Sequence, residues 1–534
     1  MKEICKQIWL RIRGSNGLIL ILYTVFIIVA MAMVNGYSNT FLCIVLALSG
    51  LVAVILCPAI LSALSRITIP VKERFSPYKK LTALCTKGVF FLAPLCVFLI
   101  YYFGFYPGGF TADSFSQYEQ AINDCYRDWH PVLQTLFSYK LPLTLTGGWL
   151  GSIILFQILC FSAVLSYVFC VILQCTNWKF TVLSMCFILL NPQTGCLVLY
   201  SWKDAAFALG AMLVLTYALR IFVTKGVWLQ KPLHIVLFVL AAVTTTFFRH
   251  NAILFTAPLV LAAFLYATRK RGIVLVLGFV LLFSAVRFPL YAAMDVAAPD
   301  KRQIETLGFP MTIIGAVTAK YPQALDSETK EFAYAVAPKE VWEDRYKPGT
   351  YNYIKWDPRT NNDIIEEYGA AKVLSMMVRT CFSAKSISLN AILHLTDSIY
   401  ALSSKTPYIS LPAVDDNPYG FAAGGNLAIR ELLTNYYYFV FNNFNLLFNL
   451  GVMHLVILAA VLSKWKLTKA GNWKKLLFVL PLFTYNYGTS LLLTGAEDAI
   501  RFFCYTFFIV PILLVFVFRK DTEGNKDTQC LNNV

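Results

Sequence analysis

The sequence predicts an all-α polytopic membrane protein of about twelve transmembrane helices, with an extracytoplasmic domain of mixed structure. Three observations carry that expectation. Only 14% of the 534 residues are charged and 58% are hydrophobic, whereas soluble domains carry about 25% charged residues. Apolar runs recur that are long enough to cross a hydrocarbon core of about 30 Å, which takes about 20 helical residues. The one long stretch of soluble-like composition, 292–436, lies between such runs. Disorder is excluded, because 42 Phe and 29 Tyr are too much apolar surface to leave unfolded.

The spans are expected at 17–35, 41–64, 89–105, 150–173, 180–199, 204–222, 232–248, 252–268, 273–291, 437–462, 476–494 and 502–518. The first run is too long for a cleavable signal, and Asn35-Gly36 is no small-x-small cleavage site, so it reads as an ordinary span. Residues 1–88 then hold two spans and a basic cytoplasmic loop. Residues 89–291 form a seven-span core with a first extracytoplasmic loop at 106–149. Residues 292–436 are an extracytoplasmic loop domain, and 437–534 hold three spans and a cytoplasmic tail. In the long loop, Pro348-Gly349, Asp357-Pro358 and Asn417-Pro418 are turn signals. Between them 362–382 reads as helical, from the spacing of Ile364, Ile365, Tyr368, Ala371 and Leu374.

The net charge of +16 has a distribution that explains it. One set of connections, with both termini, holds 25 Lys and Arg against 5 acidic residues; the rest of the chain holds 20 against 24. Basic excess marks the cytoplasmic side, so both termini are expected inside and the long loops outside. The charge is a topology signal, and a nucleic-acid partner is not expected. The 14 Cys fall mostly inside spans, with no CxxC pair and no metal-ligand spacing, and read as small apolar fillers.

The first long loop, YPGGFTADSFSQYEQAINDCYRDWHPVLQTLFSYKL, is the most informative stretch. Tyr106-Pro107-Gly108-Gly109 ends a span at the interface. Phe115, Tyr118, Ile122 and Cys125/Tyr126 recur at helical spacing, which predicts an amphipathic surface helix over 113–127. Asp113 then stands where a lipid head group would lie, and its carboxylate could accept a proton from a hydroxyl. Asp is also a favoured N-cap, and Ser114-x-x-Gln117 and Ser116-x-x-Glu119 read as capping boxes. His130-Pro131 is equally compatible with a helix start.

Charges beside or within spans are costly, and they mark functional positions by default. Lys203 and Asp204 interrupt an apolar stretch and could pair with each other. Arg249, with His250 and Asn251, separates two spans; Arg287 lies near the end of another; Glu497, Asp498 and Arg501 fall in the last connection. Alternation of the spans brings all of them to the side of Asp113. Interfacial snorkelling accounts for any one of these cations, and an Asp498–Arg501 pair could cap a helix. Trp129, Trp202 and Tyr200 fit an interfacial aromatic belt, with sugar stacking the less common role.

On Asp113, Tyr118, Ala121, Trp129, His130 and Pro131, the chain resembles the GT-C superfamily of integral-membrane glycosyltransferases, which includes the protein O-mannosyltransferases and aminoarabinose transferases. The layout agrees: seven spans pass between 89 and the second long loop, and Ser201-Trp202-Lys203-Asp204 precedes the fourth core span. Two departures stand out. Ser114 replaces the second acid of many members, and one Pro stands where many have two. A divalent metal therefore stays open but has no clear ligand motif, and no cofactor is certain.

The resemblance implies transfer of a sugar from a polyprenyl-phosphate donor to an unidentified hydroxyl acceptor, in the bilayer and on its outer side, with inversion. Asp113, Asp204 and His130 would be the catalytic set, with Asp113 as base. Arg249, Lys203 and Arg501 would bind the donor phosphate. Tyr118, Trp129, Glu497 and Asp498 would meet acceptor or sugar. The alternative from layout alone is a transporter or flippase of a lipid-linked glycan, since buried charges also line transport paths.

Overall fold

The computed structural model describes residues 15–71, 80–299, 304, 306–404, 406–467, 469, 471–492 and 501–520. Among them every regular element is a helix, and extended pairing is confined to isolated single-residue contacts. The expected mixed domain is thus corrected to a helical one. Its turn signals do mark turns, but no run between them alternates apolar and polar residues as a half-buried strand requires. Instead Gly308–Lys320, Ser327–Val336, Lys339–Arg345, Asp363–Tyr368 and Ala370–Ser383 enclose a small core around the buried Trp342. The helix expected at 362–382 is two helices, broken at Gly369, whose φ of +74° is costly for any residue with a Cβ.

Among the described residues eight helices are long and apolar enough to cross a membrane, nine if the pair Trp178–Leu189 and Pro192–Leu199, bent by 62°, counts as one. The chain is a multi-pass membrane protein, and its described residues hold fewer full-length spans than the twelve expected. Hydropathy registers composition and does not see where a helix stops. Pro192 opens a new helix whose Gln193 amide is capped by Asn191. The runs expected at 232–248 and 252–268 are Pro232–Phe248 and Ile253–Tyr266, of 17 and 14 residues, at or below the lower length limit of about 17. Of the run expected at 476–494, the described part holds the helix Leu480–Leu492. That expected at 437–462 lies within a 38-residue stretch, Leu427–Lys464.

The N-terminal hairpin, Ser15–Val34 and Asn39–Arg66, packs on Leu450–Lys464 through Leu20, Ile21, Ala53 and Cys57. Asn16 ties it there by donating to the carbonyls of Leu462 and Trp465. At the same end the basic connections meet. Lys464 donates to the Ser65 carbonyl, Arg519 to Cys175, and Asn177 to Pro70. The segments 106–150 and 410–426 meet at the opposite end, where Phe110 pairs with Ala413 and Asp415.

Candidate functional site

The site is assembled by backbone stitching at that opposite end. After the helix Lys80–Gly104, Gly109 and Phe110 run extended between two other segments. On one side Gly109 donates to the Leu199 carbonyl and accepts from Ser201; on the other Phe110 donates to Ala413 and accepts from Asp415. A Cβ on Gly109 would stand 2.3 Å from the Tyr200 ring, so only glycine allows this approach. The chain then enters the helix Ala112–Asn123, with the Ala112 amide donating to Asp415 Oδ2 at 3.2 Å. Asp113 is in its first turn. Ser201 and Trp202, on the neighbouring segment, lead into Lys203–Val223 and put Lys203 and Asp204 in the first turn there.

Arg249 arrives from the far end of Pro232–Phe248, which packs closely along Lys203–Val223: a Cβ on Gly210 would meet Thr245 Oγ1 at 2.5 Å. Arg501 arrives from the segment before Thr506–Phe518. Four distant stretches thus meet in one ionic cluster. Arg501 Nη2 lies 3.1 Å from Asp113 Oδ2 and its Nε 3.5 Å from Asp204 Oδ2. Arg249 pairs with Asp204, the two side chains being 4% and 2% exposed. Arg249 also donates to Asn251 Oδ1 at 3.0 Å, and Asn251 to Thr489 at 2.6 Å. Its guanidinium lies 3.9 Å over the Phe502 ring, and that of Arg501 lies 4.2 Å over Trp202.

Several sequence expectations change here. The helix starts on Thr111 as N-cap, and Asp113 reaches Arg501, so Asp113 is no capping residue. Asp204 pairs with Arg249 and Arg501, not with its neighbour Lys203. Lys203 is half-buried, within electrostatic reach of Asp113, Arg249 and Arg501. The helix ends at Asn123 rather than 127, and Ile122 and Cys125 are exposed while Tyr126 is buried.

Tyr118 lies away from the ion pairs. Its ring meets Tyr419 and Phe421 edge-on, at 5.1 and 5.6 Å, in an aromatic cluster under the 417–421 turn. Trp129 is half-buried, with the Lys355 ammonium 5.8 Å from its ring. Arg287 meets Asp128 at 2.8 Å, pinning the end of the first loop. Glu497 and Asp498 lie outside the described residues. Among the described residues no group of three or more His, Cys, Asp or Glu gathers as a metal would require.

Electrostatics set the protonation states. Burial pushes the Asp113 carboxyl upward, but the positive charges of Lys203 and Arg501 outweigh it and hold the group below its ordinary value. Asp113 is therefore ionised at neutral pH. His130 is 1% exposed, and burial, reinforced by Lys203, pushes it down to about 3, so it is a neutral imidazole. Its Nδ1 has no hydrogen-bond partner among the described residues.

Sequence reasoning missed two contributors from the long loop. Asp415 receives the Ala112 amide, and Lys355 is 6% exposed and attracted by Asp113. Burial pushes the Lys355 ammonium down to about 8. Neither had a local signal, since Asp415-Asp416-Asn417-Pro418 reads as a turn and Lys355 as a solvated charge. Arg501, Trp202, Thr111 and Asp415 all line a cavity of about 850 Å³ that reaches under the long loop. No family model, no curated protein and no solved structure matches the chain.

Proposed function

We propose that the chain is a membrane-embedded glycosyltransferase of the GT-C kind, taking a sugar from a polyprenyl-phosphate donor to a hydroxyl acceptor. One observation carries the reading: an ionised carboxylate, Asp113, sits 3.1 Å from a guanidinium that lines a large cavity. A base beside a fixed cation suits a displacement in which an acceptor hydroxyl loses its proton while a phosphate oxygen gains charge.

In this reading the hydroxyl oxygen bonds to the anomeric carbon, its proton passes to Asp113 Oδ, and the bond to the phosphate oxygen breaks with inversion. Arg501 and Lys203 receive the departing phosphate. Arg249 is almost fully covered, so it acts through Asp204, fixing the carboxylate that positions Arg501. Neutral His130 holds the first loop against this centre. The charged end faces outward and both termini face the cytoplasm, as the Lys and Arg distribution requires.

The test is turnover in lipid nanodiscs with polyprenyl-phosphate sugars, read as release of polyprenyl phosphate. Asp113→Asn should lower it by about 10²–10⁴-fold, the usual worth of a general base, while membrane insertion persists. Passage of an unaltered lipid-linked glycan across sealed vesicles, without release, would replace the transferase by a transporter.

A further inference from the structure

The helical part of the long loop carries an apolar face that the fold leaves uncovered. The helix Ala370–Ser383 turns three different sides to its surroundings. Val373, Met376 and Thr380 are buried, the first two in the core around Trp342. Lys372 and Arg379 reach Glu328 and Asp326 at 2.7 to 3.0 Å. On the third side Leu374, Val378 and Phe382 recur one turn apart and are 44%, 46% and 72% exposed. Leu389, in the next helix, is exposed as well. A row of large apolar side chains on a helix whose other sides are packed or ion-paired marks a surface that meets a partner.

The N-terminal hairpin fixes the height of this face. Ser15–Val34 has 20 residues and no charge, the length that crosses a hydrocarbon core, so the Asn35-Gly36 turn after it lies where the chain meets head groups. Lys385–Tyr400 runs beside that span in the opposite direction. Asn390 donates to the Met33 carbonyl at 3.1 Å, and the Tyr400 ring meets Phe26 at 5.6 Å. Followed back toward Lys385, the helix therefore climbs past the end of the span. Ser386 and Ile387 line a hollow with Asn35, Gly36 and Lys320. Ala384, at φ −129° and ψ 57°, then breaks the helix, and Phe382 stands just beyond the break. It is level with the membrane surface, and the exposed Lys320 and Lys385 are at the same height.

We propose that Ala370–Ser383 lies in the membrane interface, with Leu374, Val378 and Phe382 immersed in the phospholipid leaflet at that end and Lys320 and Lys385 against its phosphates. Lipid is the partner because the face continues from a span that the same leaflet must surround, and because the cations stand at its rim. The ion-paired side, with Lys372 and Arg379, turns away from the hydrocarbon, the division of sides that an interfacial helix requires. Neither donor nor acceptor enters this contact, so it stands or falls apart from the transferase reading.

The test is photo-crosslinking of the full chain in nanodiscs of phosphatidylethanolamine and phosphatidylglycerol large enough for two copies, with p-benzoylphenylalanine placed at one position at a time. The photoprobe at Val378 or Phe382 should give phospholipid adducts, read by mass spectrometry. At Lys372, on the ion-paired side of the same helix, it should give few. Phe382→Glu puts a charge at the most exposed point of the row and should lower the adduct yield at Val378 by about tenfold. These positions are on the surface, where substitutions seldom disturb folding; if the Val378 variant does not accumulate, Leu374 takes the photoprobe. Absence of lipid adducts at Val378 and Phe382, an equal yield at Lys372, a yield that Phe382→Glu leaves unchanged, or a crosslink to a second copy of the chain overturns the proposal.

Discussion

The two ends of the helical bundle use the same basic side chains in opposite ways. At the end where the N-terminal hairpin joins Leu450–Lys464, cations meet neutral acceptors: Lys464 the Ser65 carbonyl at 2.8 Å, Arg519 that of Cys175 at 3.1 Å, Arg220 the Gln174 amide oxygen at 3.3 Å. At the other end, Arg430 on the Gly104 carbonyl apart, they meet carboxylates: Arg249 with Asp204, Arg501 with Asp113 and Asp204, Arg287 with Asp128, Lys140 with Asp124. The first arrangement leaves net positive charge. The second is nearly balanced and partly sealed from solvent. Burying an ion pair costs more desolvation than a well-packed apolar pair of similar size, so stability does not account for Arg249 and Asp204. The pair holds charge in fixed positions next to Arg501, which lines the cavity.

That contrast can be broken experimentally, and the largest effect belongs to the buried pair. Asp204→Asn leaves Arg249 buried without a carboxylate and should cost about 3–5 kcal/mol; Arg249→Met leaves Asp204 only its 3.5 Å contact with Arg501 and should cost less. Asp204→Leu combined with Arg249→Met should recover most of that stability in thermal unfolding while remaining inactive. If each single variant melts like the wild type, the two ends do not differ as described.

Arg501→Gln comes next. Loss of a preorganised cation should slow transfer by about 10²–10³-fold, and it should also change the pH profile. Asp113 is held below its ordinary value, so activity persists as pH falls through the usual carboxylate range and is lost only beneath it. Removing Arg501 weakens that hold and moves the acid limb of kcat/KM upward; a limb that stays in place would remove Asp113 from the profile. The stability contribution has the same sign, present above the unfolded carboxyl value and lost as pH falls through the folded one. The smallest effect is at the basic end. Lys464→Met removes one partly exposed bond to a carbonyl and should cost about 1 kcal/mol or less, with transfer unchanged.

Much of the charged end was legible in the sequence, because apolar spans alternate in direction. That alternation puts Asp113, Asp204, Arg249 and Arg501 at one end before any packing is known. Their pairing was not legible. Adjacent Lys203 and Asp204 invite a local pair, yet Asp204 is held by residues from other helices, and Arg501 meets Asp113 across 388 positions. The capping pattern around Asp113 is sound local chemistry that a long-range cation overrides. Lys355 and Asp415 sit in segments whose composition says only loop. The surplus of expected spans has a related origin, since the break at Leu190-Asn191-Pro192 divides a run that hydropathy reads as continuous.

The extended pair Gly109–Phe110 has a mechanical consequence. It is hydrogen-bonded on both edges, and the 413–415 segment on one edge is continuous with the long loop. A displacement of that loop is therefore delivered, within three residues, to the carboxylate of Asp113. The roof of the cavity and the Asp113 carboxylate are thus joined by a short run of hydrogen-bonded backbone.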